Sequence, residues 1–393
     1  MTNVLLHILK TGEIMKTIAS LRPKNKRVFL RLDLNVPLRN GVIQDDARIK
    51  AAFPTIQLLL EKGVKQIIMA SHLGRPKGVD QTLSLAPVAK RLTKLLGKKV
   101  HLHTDVSTSC SQPLVLLENL RFFEGEKKGS VAFARQLANH ADVYVSDAFG
   151  TAHRKDASVY ALPKLLPSAG GLLLQKEKKY VHLRHKQPVV AIFGAAKIAD
   201  KLPLLESLLK KVDKVLLGGA VVFTFLRALD GETGTSLVEE EMIPKAKQLL
   251  EKYPRKIVLP VDFAVTSHSK LKKFDSFSVS QRKEHVSFVD VLSFPKRKAG
   301  FDIGPKSVRL FSQILSSAQT IVWNGPLGMF EVKPFDAATR AVARSILDKT
   351  VIVCGGDTVS ALRSFSFTHK STGGGASLQL LSGKKLPGLE VLT

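Results

Sequence analysis

Apolar residues in this chain fall into short runs rich in Val, Ile and Leu, at residues 27–34, 66–70, 115–117, 143–145, 189–193, 215–217, 257–259, 321–323 and 351–353. Each run is short for a helix and reads as a strand buried on both faces. Between many of them apolar positions return every three or four residues, as at 48–62, 85–96, 131–138 and 202–210, the spacing of helices with one buried face. Strands alternating with helices predict parallel sheets covered on both sides. In such sheets ligands bind beyond the carboxyl ends of the strands, so the residues directly after each run are the first candidates for chemistry.

Those residues are unusual. RLDLNVP (31–37), SHLGRP (71–76), ENLR (118–121) and SDAFGTAHR (146–154) bring Arg and His to strand ends, whereas GAAK (194–197), WNGP (323–326) and GGDT (355–358) are rich in Gly, with one Lys and one Asp. The basic, polar stretch 176–188 separates the two groups and is the predicted hinge and boundary. Length agrees, since 393 residues exceed what one core serves, and cores stop growing at about 250 to 300 residues. The expected fold class is α/β, with two doubly wound parallel-sheet, Rossmann-like domains joined by a hinge.

In the first half, Arg48, His72, Arg75, Arg121 and Arg154 lie on segments that a parallel sheet gathers at one edge. Convergent guanidinium forks bind phosphate or carboxylate. Asp33 and Asn35 suit hydroxyl recognition, or serve as turn residues before Pro37. A small, hydroxylated, multiply anionic metabolite matches the set. In the second half, Lys197 and Lys201 stand one helical turn apart and could grip a polyphosphate. Gly218 and Gly219 end a strand where a flat ring or a backbone can approach. Asp357 and Thr358 offer a carboxylate and a hydroxyl for nucleotide-bound magnesium, or ordinary helix caps. STGGGAS (371–377) precedes an apolar helical segment, so its backbone N–H groups make an anion site.

Composition narrows the classes. The formal charge of +27 favours anionic partners, and a basic nucleic-acid- or surface-binding protein is the alternative reading. That alternative lacks interleaved aromatics, with one Trp and four Tyr in the chain. Cys110 and Cys354 have no metal-ligand spacing and imply no disulfide framework, which fits a reducing cytoplasm. The longest apolar stretch, 215–226, is shorter than the ~18 residues of a membrane span. No signal-peptide pattern precedes Met15, so a soluble, unprocessed chain is expected, with residues 1–14 an appendage or an early start and no function assigned to them. Nucleophile-elbow, zincin and P-loop templates are missing, which leaves positioning and positive charge as the means of catalysis. Phosphoryl transfer needs those two things.

RLDLNVP, SHLGRP, LENLRF (117–122), DAFGTAHR (147–154), WNGPLG (323–328), GGDT and STGGGAS, in this order, resemble the motifs of phosphoglycerate kinases. The resemblance runs from about Lys16 to Thr393. It implies a kinase acting reversibly between 1,3-bisphosphoglycerate with ADP and 3-phosphoglycerate with ATP, in glycolysis and gluconeogenesis. It further implies a cytoplasmic monomer needing Mg2+, with no membrane and no obligate nucleic-acid partner. Asp33, Leu34, Asn35, Arg48, His72, Leu73, Gly74, Arg75, Arg121 and Arg154 would bind the glycerate phosphate, in a domain spanning 1–180. Lys201, Gly218, Gly219, Asn324, Pro326, Glu331, Gly355, Gly356, Asp357 and Thr358 would bind the nucleotide in 181–382, with Asp357 toward the metal. Arg48, Lys197, Gly373, Gly374 and Gly375 would surround the transferred group, and 383–393 would return to the first domain. Two positions depart from the family: Ala195 puts a methyl group where a Gly backbone approaches the nucleotide, and Asp156 puts a negative charge where a His is common. Both are expected to lower affinity.

Overall fold

The computed structural model describes residues 15–181 and 185–393. Residues 1–14 and residues 182–184 of the expected hinge lie outside the described residues. The chain divides into two compact units, one formed by residues up to Lys179 together with Lys385–Thr393, the other by Tyr180–Lys384.

The first unit is built on a six-stranded sheet in the order His101–His103, Leu114–Leu117, Gln66–Ala70, Arg27–Leu32, Val143–Asp147, Ser168–Gly170. All its pairings are parallel. The central strands are buried along nearly their whole length, which is why they read as continuous apolar runs rather than alternating ones. Ala47–Glu61 carries Ile49, Ala52, Ile56 and Leu59 into the core and continues through Pro54, an interior position that packing supports against propensity. The C-terminal segment belongs to this unit: Lys16 donates its N–H to Leu392 O at 2.9 Å, and Gly388 donates to Ala152 O at 2.8 Å.

The second unit has its own six-stranded parallel sheet, in the order Ile257–Val258, Lys214–Gly218, Val189–Gly194, Thr320–Asn324, Thr350–Cys354, His369–Lys370. The apolar stretch 215–226 is split into the strand ending at Gly218 and the helix Val221–Arg227. Among the described residues no helix is long and apolar enough to cross a membrane. A three-stranded antiparallel sheet, with Asp262–Thr266 between Ser287–Asp290 and Ala299–Ile303, has no counterpart in the apolar runs. Ser287–Asp290 explains why, because its residues alternate between half-buried and exposed, with Phe288 63% exposed.

In each sheet the strand order reverses between two central neighbours, and a crevice opens at such a switch point. The strands on either side are Arg27–Leu32 and Val143–Asp147 in the first unit, Val189–Gly194 and Thr320–Asn324 in the second.

One buried carboxylate ties the first sheet to the next helix. Asp147 Oδ1 accepts the Leu174 N–H at 2.9 Å, while Oδ2 has no hydrogen-bond partner among the described residues. Burial pushes its carboxyl up to about 6, against the pull of Thr55 and the Leu174 and Leu173 amides. A folded value above the unfolded one means that the folded state holds this proton more tightly. Stability from this group is therefore fullest below about pH 4, falls as pH rises toward about 6, and stays reduced above it. Asp147→Asn keeps an oxygen for Leu174 and is expected to raise stability at pH 7.5 by about 1 to 2 kcal/mol. Urea unfolding at pH 4.5 and 7.5 checks this, since the gain should be clearly smaller at the lower pH.

Candidate active site

In the first unit the cationic side chains are held by loops that bond to one another. Arg48, in the first turn of Ala47–Glu61, donates from Nη1 to Asp33 Oδ1 at 2.6 Å. Leu34 donates its N–H to Ser71 Oγ at 2.8 Å, and Asn35 Oδ1 accepts the Gly74 N–H at 2.9 Å. Arg121 Nη1 reaches Gly74 O at 2.5 Å, and Asn119 Oδ1 accepts the N–H groups of both Leu73 and Arg121 at 3.1 Å. The loops after three neighbouring strands are thus joined through Gly74. Leu34 and Leu73 point into the core and offer the site no side chain.

His72 is buried, and its Nδ1 has no hydrogen-bond partner among the described residues. Burial first, then the charges of Arg31, Arg154 and Arg48, hold its imidazole well below the usual histidine range. Arg48 and Arg154 thus act on the same ring, and Arg121 is tied to the adjoining loop through Gly74. Arg154 is half-buried, with Nε 3.3 Å from His153 Nε2. Arg75 is exposed and its side chain makes no hydrogen bond or ion pair among the described residues, so nothing yet fixes it in the cluster.

Beneath the rim lies Arg31, the first residue of the string RLDLNVP, to which the sequence alone assigns no role. It is fully buried, donates from Nε to Ser158 Oγ at 2.7 Å, and bonds Leu32 O and Ala70 O through Nη1. Its Nη2 lies 3.8 Å from Glu126 Oε1, and Glu126 accepts the Ser158 N–H at 2.9 Å and hydroxyl at 2.6 Å. The signal was present: a charge inside an apolar strand run must be paired when buried. Its partner Glu126 carries no such mark in the sequence.

In the second unit a cleft of about 500 Å3 is lined by Lys197, Lys201, Gly219, Pro326, Glu331 and Asp357, with Phe223, Phe301 and Met329 on its apolar side. The two lysines do not share a helix face as their spacing predicts. Lys201 closes the turn Ala199–Lys201, outside the helix Leu202–Lys211, and donates to Gly194 O at 3.2 Å. Burial lowers its ammonium pKa, against the pull of Asp357 and Asp200. Ala195 also lines the cleft, with its methyl group in place.

Other residues of the second set fasten this cleft together. Gly219, at φ +71°, donates its N–H to Leu327 O at 2.8 Å, and a Cβ on Gly218 would lie 2.9 Å from Leu327 Cα. Backbone thus approaches both glycines closely, and Gly219 also lines the cleft. Asn324 Nδ2 donates to Cys354 O at 2.7 Å, and Gly355 at φ +95° passes that side chain where a Cβ would be 2.6 Å from Nδ2. Thr358 is buried, donates to Cys354 O at 2.8 Å and accepts the Gly325 N–H at 2.6 Å, so its hydroxyl joins two strand ends. Gly355, Gly356 and Thr358 do not border the cleft, whereas Asp357 does. Of the triple glycine, Gly373 commits its N–H to Ser371 Oγ at 3.1 Å, and Gly374, at φ +49°, precedes the helix Gly375–Leu381.

Among the described residues no group of three or more His, Cys, Asp or Glu could hold a metal ion. Asp357, at a cleft with two lysines and with no cage of ligating side chains, fits a magnesium ion that arrives on nucleotide phosphates rather than one caged by protein.

Residues 18–384 match the family described as Phosphoglycerate kinase. The phosphoglycerate kinase of Dictyoglomus turgidum is 42% identical over 402 residues, covering 96% of this chain and 98% of that protein. That of Fervidobacterium nodosum is 43% identical over 398 residues, covering 95% and 97%. Among solved structures, phosphoglycerate kinase from Coxiella burnetii superposes with a TM-score of 0.86 at 36% identity, over 96% of this chain and 99% of that one. The Pyrococcus horikoshii phosphoglycerate kinase does so with a TM-score of 0.82 at 30% identity, over 96% and 98%. Nothing in these comparisons supports a basic nucleic-acid- or surface-binding protein on the same scaffold. Two parallel-sheet units, a cationic rim on one and a lysine-lined cleft on the other, go with a match over nearly the whole length: the chain belongs to the phosphoglycerate kinase family.

Proposed function

We propose that this chain catalyses reversible phosphoryl transfer between 1,3-bisphosphoglycerate with ADP and 3-phosphoglycerate with ATP, acting as a cytoplasmic monomer in glycolysis and gluconeogenesis. The observation that carries the reading is the joined cluster of Arg48, His72, Arg121 and Arg154 at the strand ends of the first unit. Arg121 and Arg154 grip the phosphate and carboxylate of the glycerate, with Arg75 swinging in from solvent to complete the grip. His72, held neutral, adds a hydrogen bond without adding charge. Asp33 anchors Arg48, and Asn35 fixes the 71–76 loop against its own.

The nucleotide takes the cleft of the second unit, its ring on the apolar side and its phosphates toward Lys197 and Lys201. Mg2+ supplies neutralisation of phosphate charge, and Asp357 is the residue that would face it. Arg48, Lys197 and the backbone of Gly374 and Gly375 surround the transferred group, with Gly373 holding the turn through Ser371. Direct in-line transfer follows when closure brings the two substrates together and expels water that would hydrolyse an acyl phosphate. A coupled assay supplying 3-phosphoglycerate and Mg-ATP, and following ADP, tests this. Steady turnover that needs all three components is the expected result, and no turnover above background would sink the proposal.

A further inference from the structure

Asp156 follows Arg154 by two residues and opens the turn Ala157–Ala161. It is only 8% exposed, yet no hydrogen bond or ion pair holds its carboxylate among the described residues. Its neighbours by charge are Arg31 from the strand, Glu126 and Lys127 from the helix Glu124–Lys127, and His153 and Arg154 from its own loop, while Val131–Ala138, Leu162–Lys164 and Pro387–Glu390, which also pack against the turn, carry Arg135, Lys164 and Glu390. Ser158, in the same turn, is already committed to Arg31 and Glu126, so the turn is fixed and Asp156 cannot leave the cluster cheaply. A carboxylate with no protein partner beside a phosphate-gripping arginine is a like charge to any anion that arrives there.

We propose that Asp156 is a resident anion of the rim, and that it takes up a proton from solvent when Arg154 engages the phosphate of the glycerate substrate. This rests on the reading of the rim as the glycerate-phosphate site. The step is a protonation, carboxylate plus H+ giving the neutral acid, with no other bond made or broken. Burial already pushes the Asp156 carboxyl up, and Arg31, Arg154, His153 and Lys127 pull it back. An incoming phosphate competes for that same cationic field, so the balance moves toward the neutral acid. By linkage, substrate affinity then strengthens as pH falls, and substrate binding and proton binding strengthen each other equally.

The test is titration calorimetry of 3-phosphoglycerate into the full chain at pH 6 in two buffers of different ionisation enthalpy, with Asp156→Asn beside the unchanged protein. The substrate's own phosphate titrates nearby, but it contributes equally to both proteins. Asp156→Asn should bind with less proton uptake, and at pH 7.5 its KM for 3-phosphoglycerate should be about 3- to 10-fold lower, since one pKa unit of coupling is a factor of ten. The KM for Mg-ATP should not move, and Asp156→Glu should keep the uptake. Should Asp156→Asn fail to fold, Asp156→Ser reads the same two quantities. Equal proton uptake and equal KM in a folded variant would overturn the proposal while leaving the functional reading intact. No 3-phosphoglycerate binding by the unchanged protein would overturn both.

Discussion

Arg48→Ala is expected to lower kcat by about 100- to 1,000-fold while the KM for Mg-ATP stays within about twofold. Arg48 is half-exposed, its side chain 34% accessible, and its one ion pair runs to Asp33. Losing a partly solvated pair costs the fold roughly 1 kcal/mol or less, so the variant should stay folded. The catalytic loss is larger because charge develops on the moving phosphoryl group, where a positioned guanidinium is worth more than in the ground state. Removal also leaves Asp33 unopposed at the rim, which adds repulsion to the lost attraction. Steady-state kinetics separate the two substrates, and a variant with ordinary kcat would show that Arg48 does not meet the reacting group.

Arg31→Met should be the most damaging single change to stability, by about 3 to 5 kcal/mol, because it leaves Glu126 buried without its counter-charge. Burial already raises the Glu126 carboxyl, with Arg31 first among the groups opposing the shift. Without Arg31 the folded-state value rises further above the unfolded one. The folded state then favours the protonated acid, so the deficit is smallest at low pH and grows as pH rises through the carboxylate range. Glu126→Gln in the same protein should recover much of the loss, since the charge is gone and an oxygen remains for Ser158. Urea unfolding at pH 5 and pH 8 measures both effects, and an equal loss at the two pH values would show that charge is not the cause.

The strands that position both sites are legible in the sequence because they are covered on both faces and therefore apolar throughout. The edge strands His101–His103 and His369–Lys370 are not, since an edge carries polar residues and presents no continuous run. Charge is legible as inventory but not as connectivity. Arg48, Arg121 and Arg154 can be named from their strings, while Gly74 as the junction between loops and Glu126 as the buried counter-charge depend on contacts between distant segments. Thr358 marks the same limit: its type fits a metal ligand, and its surroundings make it a bolt between strand ends. The lysine spacing misleads for a local reason, because the helix begins after Lys201.

The return of Lys385–Thr393 to the first unit makes that unit discontinuous along the chain, with the second inserted as one uninterrupted piece. As the polypeptide leaves the ribosome, Leu392 must emerge before its carbonyl can receive the amide of Lys16. The inserted piece is therefore the one able to mature first during synthesis, and the first unit is finished last.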